Sequence, residues 1–184
     1  MYARRVSIRA GKHRLGPDKA TLAVHTGRTG AAAKAGHDLV LHVTSWAATL
    51  ELGDDPDTTS IELTADATSL RVHRGTGGIQ ALGDEEKSGI QQTIDDEVLK
   101  RRDIEFRSTA ARGEVDGSRI GVEGELTLLG RTQPISFDLA VGDDGAISAT
   151  AVVRQTAWGM KPFSTMFGAL KVADEVEIVL DGHL

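Results

Sequence analysis

The sequence predicts an all-β fold, an antiparallel meander interrupted by one helix. Three observations carry that reading. Apolar and polar residues alternate with a period of two along most of the chain, the mark of half-buried strands. The alternating runs are joined mostly by short turns, which leave no room for the long crossovers of a βαβ arrangement. One stretch only switches to the helical period. The 184 residues contain no internal repeat and no low-complexity linker, so residues 1–184 read as a single domain, long enough to bury roughly 70% of its unfolded surface.

In chain order, "LAVHT" (22–26) is the first candidate strand. "DLVLHVTSWAATLEL" (38–52) is long enough for one bent strand or two, and "SIELTADATSL" (60–70) alternates Ile61, Leu63 and Ala65. "IEFRSTAARGEV" (104–115) and "RIGVEGELTLL" (119–129) flank Asp116-Gly117, a preferred two-residue hairpin turn because both central positions need positive φ. "PISFDLAV" (134–141) turns through "GDDG" (142–145) into "AISATAVVR" (146–154), and "EVEIVLDG" (175–182) closes the set at about eight strands.

The best-patterned stretch runs from Gly124 to Val141. Its apolar positions shift from even (Leu126, Leu128) to odd (Ile135, Phe137, Leu139, Val141). A chain reversal at Gly130–Pro134 puts both sets on one face, with Gly130 supplying a positive φ and Pro134 beginning the next strand where no ladder donor is needed. In "DEEKSGIQQTIDDEVLKRR" (84–102), Ile90, Ile94 and Val98 share one helical face. Ser88 with Gln91 fits a capping box, and Lys100, Arg101 and Arg102 suit the negative end of the helix dipole.

A net charge of −6 argues against a nucleic-acid binder and disfavours docking on an anionic membrane. No cysteine is present, which removes disulfides, iron–sulfur clusters and thiolate zinc sites. No apolar run approaches the roughly 20 residues of a membrane span. The early basic residues of "MYARRVSIRAGKHRLG" precede no apolar core of a secretory signal, so the expected location is the cytoplasm. No cofactor is expected.

Chemistry is hard to find. His37 and His42 are five apart on a strand and point to opposite faces, and no metal-binding spacing accompanies any of the six histidines, so no metal site is expected. The paired acids Asp54-Asp55, Asp95-Asp96 and Asp143-Asp144 read as solvated surface. "RVHRGTGG" (71–78) reads as a loop in which Arg71, His73 and Arg74 offer positive charge and Gly75, Gly77 and Gly78 allow close approach of a ligand. It matches neither a phosphate loop nor a dinucleotide fingerprint, because Gln80 stands where the third glycine belongs. "RQTAWGMKPFSTMFGALKVADEVEI" (154–178) gathers Trp158, Phe163, Phe167 and two of the three methionines, either as a plug for the core or as the lip of an apolar cavity.

Several of these segments together resemble a known family. "VEGELTLLGRTQPISFDL" is similar to the G-x-L-T-[IL]-x-G-x-T-x-P-[VI] hallmark of the YceI-like, lipocalin-like polyisoprenoid-binding proteins. "KAGHDLVLHVTSWAATLEL", "SIELTADATSL", "IEFRST" and "LKVADEVEIVL" resemble further elements of that family, in order. The chain departs from it where members carry Arg-Asp-x-His-Leu before the helix and this one reads "VHRGTGGIQALGDEEKSGI". "KAGHDL" and "GMKPFSTMFGALKV" look like a cytoplasmic branch.

The resemblance implies an eight-stranded antiparallel lipocalin-like barrel, its helix near the mouth, holding a long apolar molecule. The expected walls are Leu39, Leu41, Ile61, Leu63, Phe106, Val122, Leu126, Leu128, Phe137 and Leu139. Ala65, Gly124, Ala149 and Ala151 leave room among them, Trp46, Trp158 and Phe163 stand at the mouth, and Arg71, His73 and Arg74 form a rim. Each isoprene unit contributes about 1.5 kcal/mol at roughly 0.3 kcal/mol per heavy atom, so four or five units reach micromolar binding. The leading expectation is a non-catalytic carrier or store for an isoprenoid-like or other amphiphilic lipid, without nucleic acid or stable membrane insertion and with a homodimer left open. Two alternatives stand beside it: an enzyme using His37, His42 or His73 as base in the same cavity, and a filled barrel acting as a stress-response or interaction module.

Overall fold

Alternate side chains on a pleated ribbon face opposite sides, so each period-two run sorts its apolar residues onto one face and must bury that face. A computed structural model describes residues 10–113 and 118–184. The strands are β1 (Gly11–Leu15), β2 (Ala20–Thr26), β3 (Arg28–Thr29), β4 (His37–Val43), β5 (Trp46–Leu52), β6 (Ser60–Ala65) and β7 (Leu70–Gly77). Helix α1 (Asp84–Thr93) separates these from β8 (Ile104–Gly113), β9 (Arg119–Leu128), β10 (Arg131–Val141), β11 (Ala146–Arg154), β12 (Ser164–Thr165), β13 (Leu170–Val172) and β14 (Glu175–His183). Among the described residues, eleven strands form one curled antiparallel sheet in the order β1-β5-β6-β8-β9-β10-β11-β14-β2-β4-β7. A small second sheet has the order β12-β13-β3.

The all-β antiparallel architecture with an inserted helix agrees with the sequence reading. Strand number and closure do not: eleven strands replace eight, and the ladder is open, with β1 and β7 at its edges. Three local causes account for the strand number. β1 pairs along β5, but its sequence Lys12-His13-Arg14 is too polar to announce a strand. The run 38–52 breaks at Thr44 and Ser45 into β4 and β5. The supposed loop 71–78 is mostly strand β7, paired with β4. The expected turn at Asp116-Gly117 lies outside the described residues.

The sheet curls because two ribbons bend at one shared corner. There β4 passes into β5 and β6 into β7. Thr44 N–H donates to the Ser69 carbonyl, and Asp66 N–H to the Ser45 carbonyl, both at 3.0 Å. The buried Ser69 hydroxyl accepts from Ser45 N–H at 3.1 Å and donates to the Asp66 carbonyl at 2.8 Å. Asp66 in turn accepts from the hydroxyl and N–H of Thr68, which holds its carboxyl below the usual carboxylate range.

Leu129 and Gly130 reverse the chain with positive φ of 51° and 71°. β10 therefore begins at Arg131, and Pro134 lies within the ladder opposite Glu125 rather than at the strand's start. The phase switch does its expected job: Leu126 and Leu128 share an interior with Ile135, Phe137 and Leu139. Leu52, Ile120, Val141 and Ile147 are buried at the end of the sheet remote from α1. On the outer face, the register partners Lys12–Glu51, Glu62–Arg107 and Arg154–Glu175 form ion pairs at 3.2, 3.5 and 3.2 Å. Exposed pairs of this kind contribute only about 0–1 kcal/mol each, so they favour the register more than the fold.

Removing the Ser69 hydroxyl leaves the Ser45 N–H without its partner. Ser69→Ala is expected to cost about 1–3 kcal/mol in a denaturant titration. Ser45→Ala, which keeps the backbone donor and the Ser69 hydroxyl, is expected to cost less than half as much.

Candidate ligand-binding cavity

The inward side chains do not fill the space the curled sheet encloses. A chamber of about 160 Å³ lies between the sheet walls, lined throughout by Ala, Val, Leu, Ile and Phe. A larger chamber of about 600 Å³ lies towards α1. Val24, Leu70, Ile104, Leu128, Val153 and Ile178 belong to the walls of both, so the two are contiguous. The larger falls within the size range of small-molecule sites.

The helix covers the open side of the larger chamber with the face its sequence predicted: Ile90, Ile94 and Val98 all line it. Its start differs from expectation. The N-cap is Gly83, whose N–H donates to the Glu86 carboxylate, and Ser88 lies inside the helix. Asp84, Glu85 and Glu86 in the first turn suit the positive end of the dipole. After Thr93 the helix widens into a π-type turn, Ile94–Val98, of the kind that recurs at functional sites.

The rest of the mouth is built from two segments far apart in sequence. β13 pairs with β3 and β12, and the Ala32 N–H donates to the Ala169 carbonyl at 2.8 Å. Arg28, lining the chamber, donates to the Gly36 carbonyl and lies 3.6 Å from the Asp38 carboxylate. His37 Nε2 is 2.6 Å from the Gln80 carbonyl oxygen. Gly77 and Gly78, both at positive φ, have their open sides against Arg28 and His37. Their lack of a Cβ serves the protein's own side chains rather than a ligand.

Of the expected wall residues, Ile61, Leu63, Phe106, Leu126, Leu128, Phe137 and Leu139 line the inner chamber, while Leu39 and Leu41 line the outer one. Val122 is 1% exposed and lines neither. Ala65, Ala149 and Ala151 border the inner chamber, but Gly124 leaves no void, because the Phe106 ring occupies its open side. Phe106 also packs against Phe137 with ring centroids 5.5 Å apart.

The mouth residues divide. Phe163 lines the outer chamber, whereas Trp46 and Trp158 are buried core, the latter donating from Nε1 to the Leu126 carbonyl at 2.8 Å. Arg71, His73 and Arg74 are exposed on β7 and line neither chamber. The register of β7 slips by one residue opposite Val40 and Leu41, leaving His73 unpaired in the ladder. That bulge stacks His73 on His42, with ring centroids 4.1 Å apart and planes 11° apart, on the outer face. Of the three histidines considered as bases, only His37 borders the cavity.

Sequence reasoning missed Arg28, Leu170 and Val172 as cavity residues. No local pattern marks them, since the small sheet that gathers them joins segments some 140 residues apart. Trp158 plugs the core while Met160 and Phe163 line the larger chamber, so both readings of 154–178 hold in different parts of it.

A family model for the YceI-like domain matches residues 17–184. The chain belongs to the YceI-like family. Its fold is similar to that of BcnA from Burkholderia cenocepacia, at 15% identity and a TM-score of 0.61, over 88% of this chain and 94% of that one. The YCEI protein of Campylobacter jejuni is also similar, at 16% identity and a TM-score of 0.51, covering 78% of this chain and 82% of that one. No match is found among curated proteins.

In this YceI-like chain the outer histidines give a pH signature. Burial, then the neighbouring His73 and His25, lower the His42 pKa from its ordinary 6.5. Arg71 is its register partner on β7, and Glu177 lies beyond His25 on β14. The unfolded chain binds this proton more readily, so stability is retained above the unfolded pKa and is lost as pH falls below it. Urea midpoints are expected to drop between about pH 7.5 and pH 5, and His42→Gln is expected to flatten that drop.

Proposed function

We propose that the protein is a single-domain, non-catalytic carrier or store for an isoprenoid-like or other amphiphilic lipid, held with its tail in the cavity. One observation carries the reading: two adjoining chambers beside α1, the inner lined by apolar side chains throughout and the outer mostly so. The membership in the YceI-like family, which the sequence resembles as a set of polyisoprenoid-binding proteins, supports the same class of ligand. A cytoplasmic setting is compatible with the lack of cysteine, since the fold draws nothing from an oxidising compartment. No helix of the described residues is long and apolar enough to cross a membrane.

Volume sets the size of the cargo. At interior packing density a methylene-sized group occupies on the order of 25 Å³. The outer chamber, about 600 Å³, then takes roughly four or five isoprene units. The inner chamber of about 160 Å³ takes about one more.

Native mass spectrometry and calorimetry with prenyl alcohols of three to eight isoprene units test both parts. Affinity is expected to rise about tenfold with each unit up to five or six, then to level off as further units remain in water. Ala151→Leu, which fills part of the inner chamber, is expected to bring the levelling point about one unit lower. Failure of every chain length to bind would remove the carrier reading.

A further inference from the structure

The lip of the cavity carries a second surface, facing outwards. Phe167 is fully exposed, Met166 is 54% exposed and Phe163 40% exposed, in a chain whose aromatic content is only 4%. Met166, Phe167 and Gly168 adopt positive φ in succession, at 52°, 55° and 85°. Two of these are L-residues with bulky side chains, which avoid that region, and such strain persists only where the surroundings impose it. The surroundings here are the strand pairs of β12 and β13, the Ala169 N–H bonded to the Met166 carbonyl at 3.1 Å, and the link from Ala32 to Ala169. An apolar tip is thus held in water by a braced loop.

Charge completes the pattern. The two segments that form this lip, 27–37 and 159–172, contain Arg28, Lys34, Lys161 and Lys171 and not one Asp or Glu, although the whole chain carries −6. Lys34, Lys161 and Lys171 are exposed. The nearest following carboxylates are occupied, Asp38 beside Arg28 and Asp174 by the Thr156 hydroxyl and N–H. The acids of the first turn of α1, Asp84, Glu85 and Glu86, lie outside these two segments, on the helix that covers the same chamber. Exposed Phe and Met set among lysines is the composition of a surface that rests in the headgroup layer of an anionic bilayer.

We propose that the lip formed by 27–37 and 159–172 docks on an anionic lipid bilayer, with Met166 and Phe167 entering the headgroup layer beside the cavity's mouth. Phe163 and Thr165 line the larger chamber from the same strip of chain, so a docked lip brings that opening to the source of an apolar cargo. The net charge, which disfavours such docking on average, conceals a local reversal of sign. The purpose of this surface rests on the carrier reading; its geometry does not.

Flotation of the full chain with vesicles tests it, using phosphatidylcholine alone and phosphatidylcholine mixed with phosphatidylglycerol. Binding is expected to the mixed vesicles only, and to weaken as salt rises to about 0.5 M. Phe167→Ser and the pair Lys34→Glu with Lys161→Glu are each expected to weaken it on the order of tenfold, with unchanged thermal unfolding. Uptake of a five-unit prenyl alcohol delivered on cyclodextrin is expected to stay normal in these variants, while uptake from the mixed vesicles slows. A protein that loads from cyclodextrin yet ignores every vesicle, or whose vesicle binding survives both variants, overturns the docking surface and leaves the carrier reading standing. One that floats with vesicles but loads no prenyl chain does the reverse. Concentration-dependent dimers that Phe167→Ser dissolves, without vesicle binding, assign the lip to a second copy of the chain and also overturn the proposal.

Discussion

Everything in this molecule depends on the corner at which β4–β5 and β6–β7 bend together. A flat sheet with one apolar face would have to find another layer to cover it. Bending two paired ribbons at the same point, and satisfying the interrupted ladder through Ser69, lets the sheet curl over itself instead. Its own opposite walls then supply the cover. The apolar faces of β9 and β10 meet those of β2, β5 and β14 across a shared interior, and no second layer is required.

Whether that interior is solid follows from side-chain volume. At the end remote from α1, Leu52, Ile120, Val141 and Ile147 close the space. Between the walls Ala65, Ala149 and Ala151 leave the inner chamber, where the aliphatic side chains do not reach one another. Helix α1 covers the gap without filling it, because its apolar stripe is only one face wide. The hollow is therefore a consequence of where the alanines fall and how short the amphipathic cover is.

The mouth obeys a different logic from the walls. Walls are made by alternation along single strands, a local property that survives in any reading of the sequence. The mouth is made by β3, β12 and β13, two or three residues each, which are strands only because they find one another. Arg28, Leu170 and Val172 gain their positions from that meeting, and so does the outward presentation of Phe167. The same reason explains the misreading of 71–78: a glycine-rich, basic stretch has no strand pattern of its own, and its pairing with β4 alone makes it β7.

Sequence by itself determined the all-β class, most strand positions, the helix with its Ile90–Ile94–Val98 face, and nearly all of the apolar wall. Each of these rests on a period of two or four residues, and periodicity is written along the chain. Tertiary structure alone decided that β1 exists, that the ladder stays open, that Trp46 and Trp158 sit in the core, and that Arg71, His73 and Arg74 face away from the cavity. It also decided the local sign of charge at the lip, which an average over 184 residues had reversed. These depend on which distant segments share a corner, a ladder or a rim, and contacts between segments far apart leave no period to read.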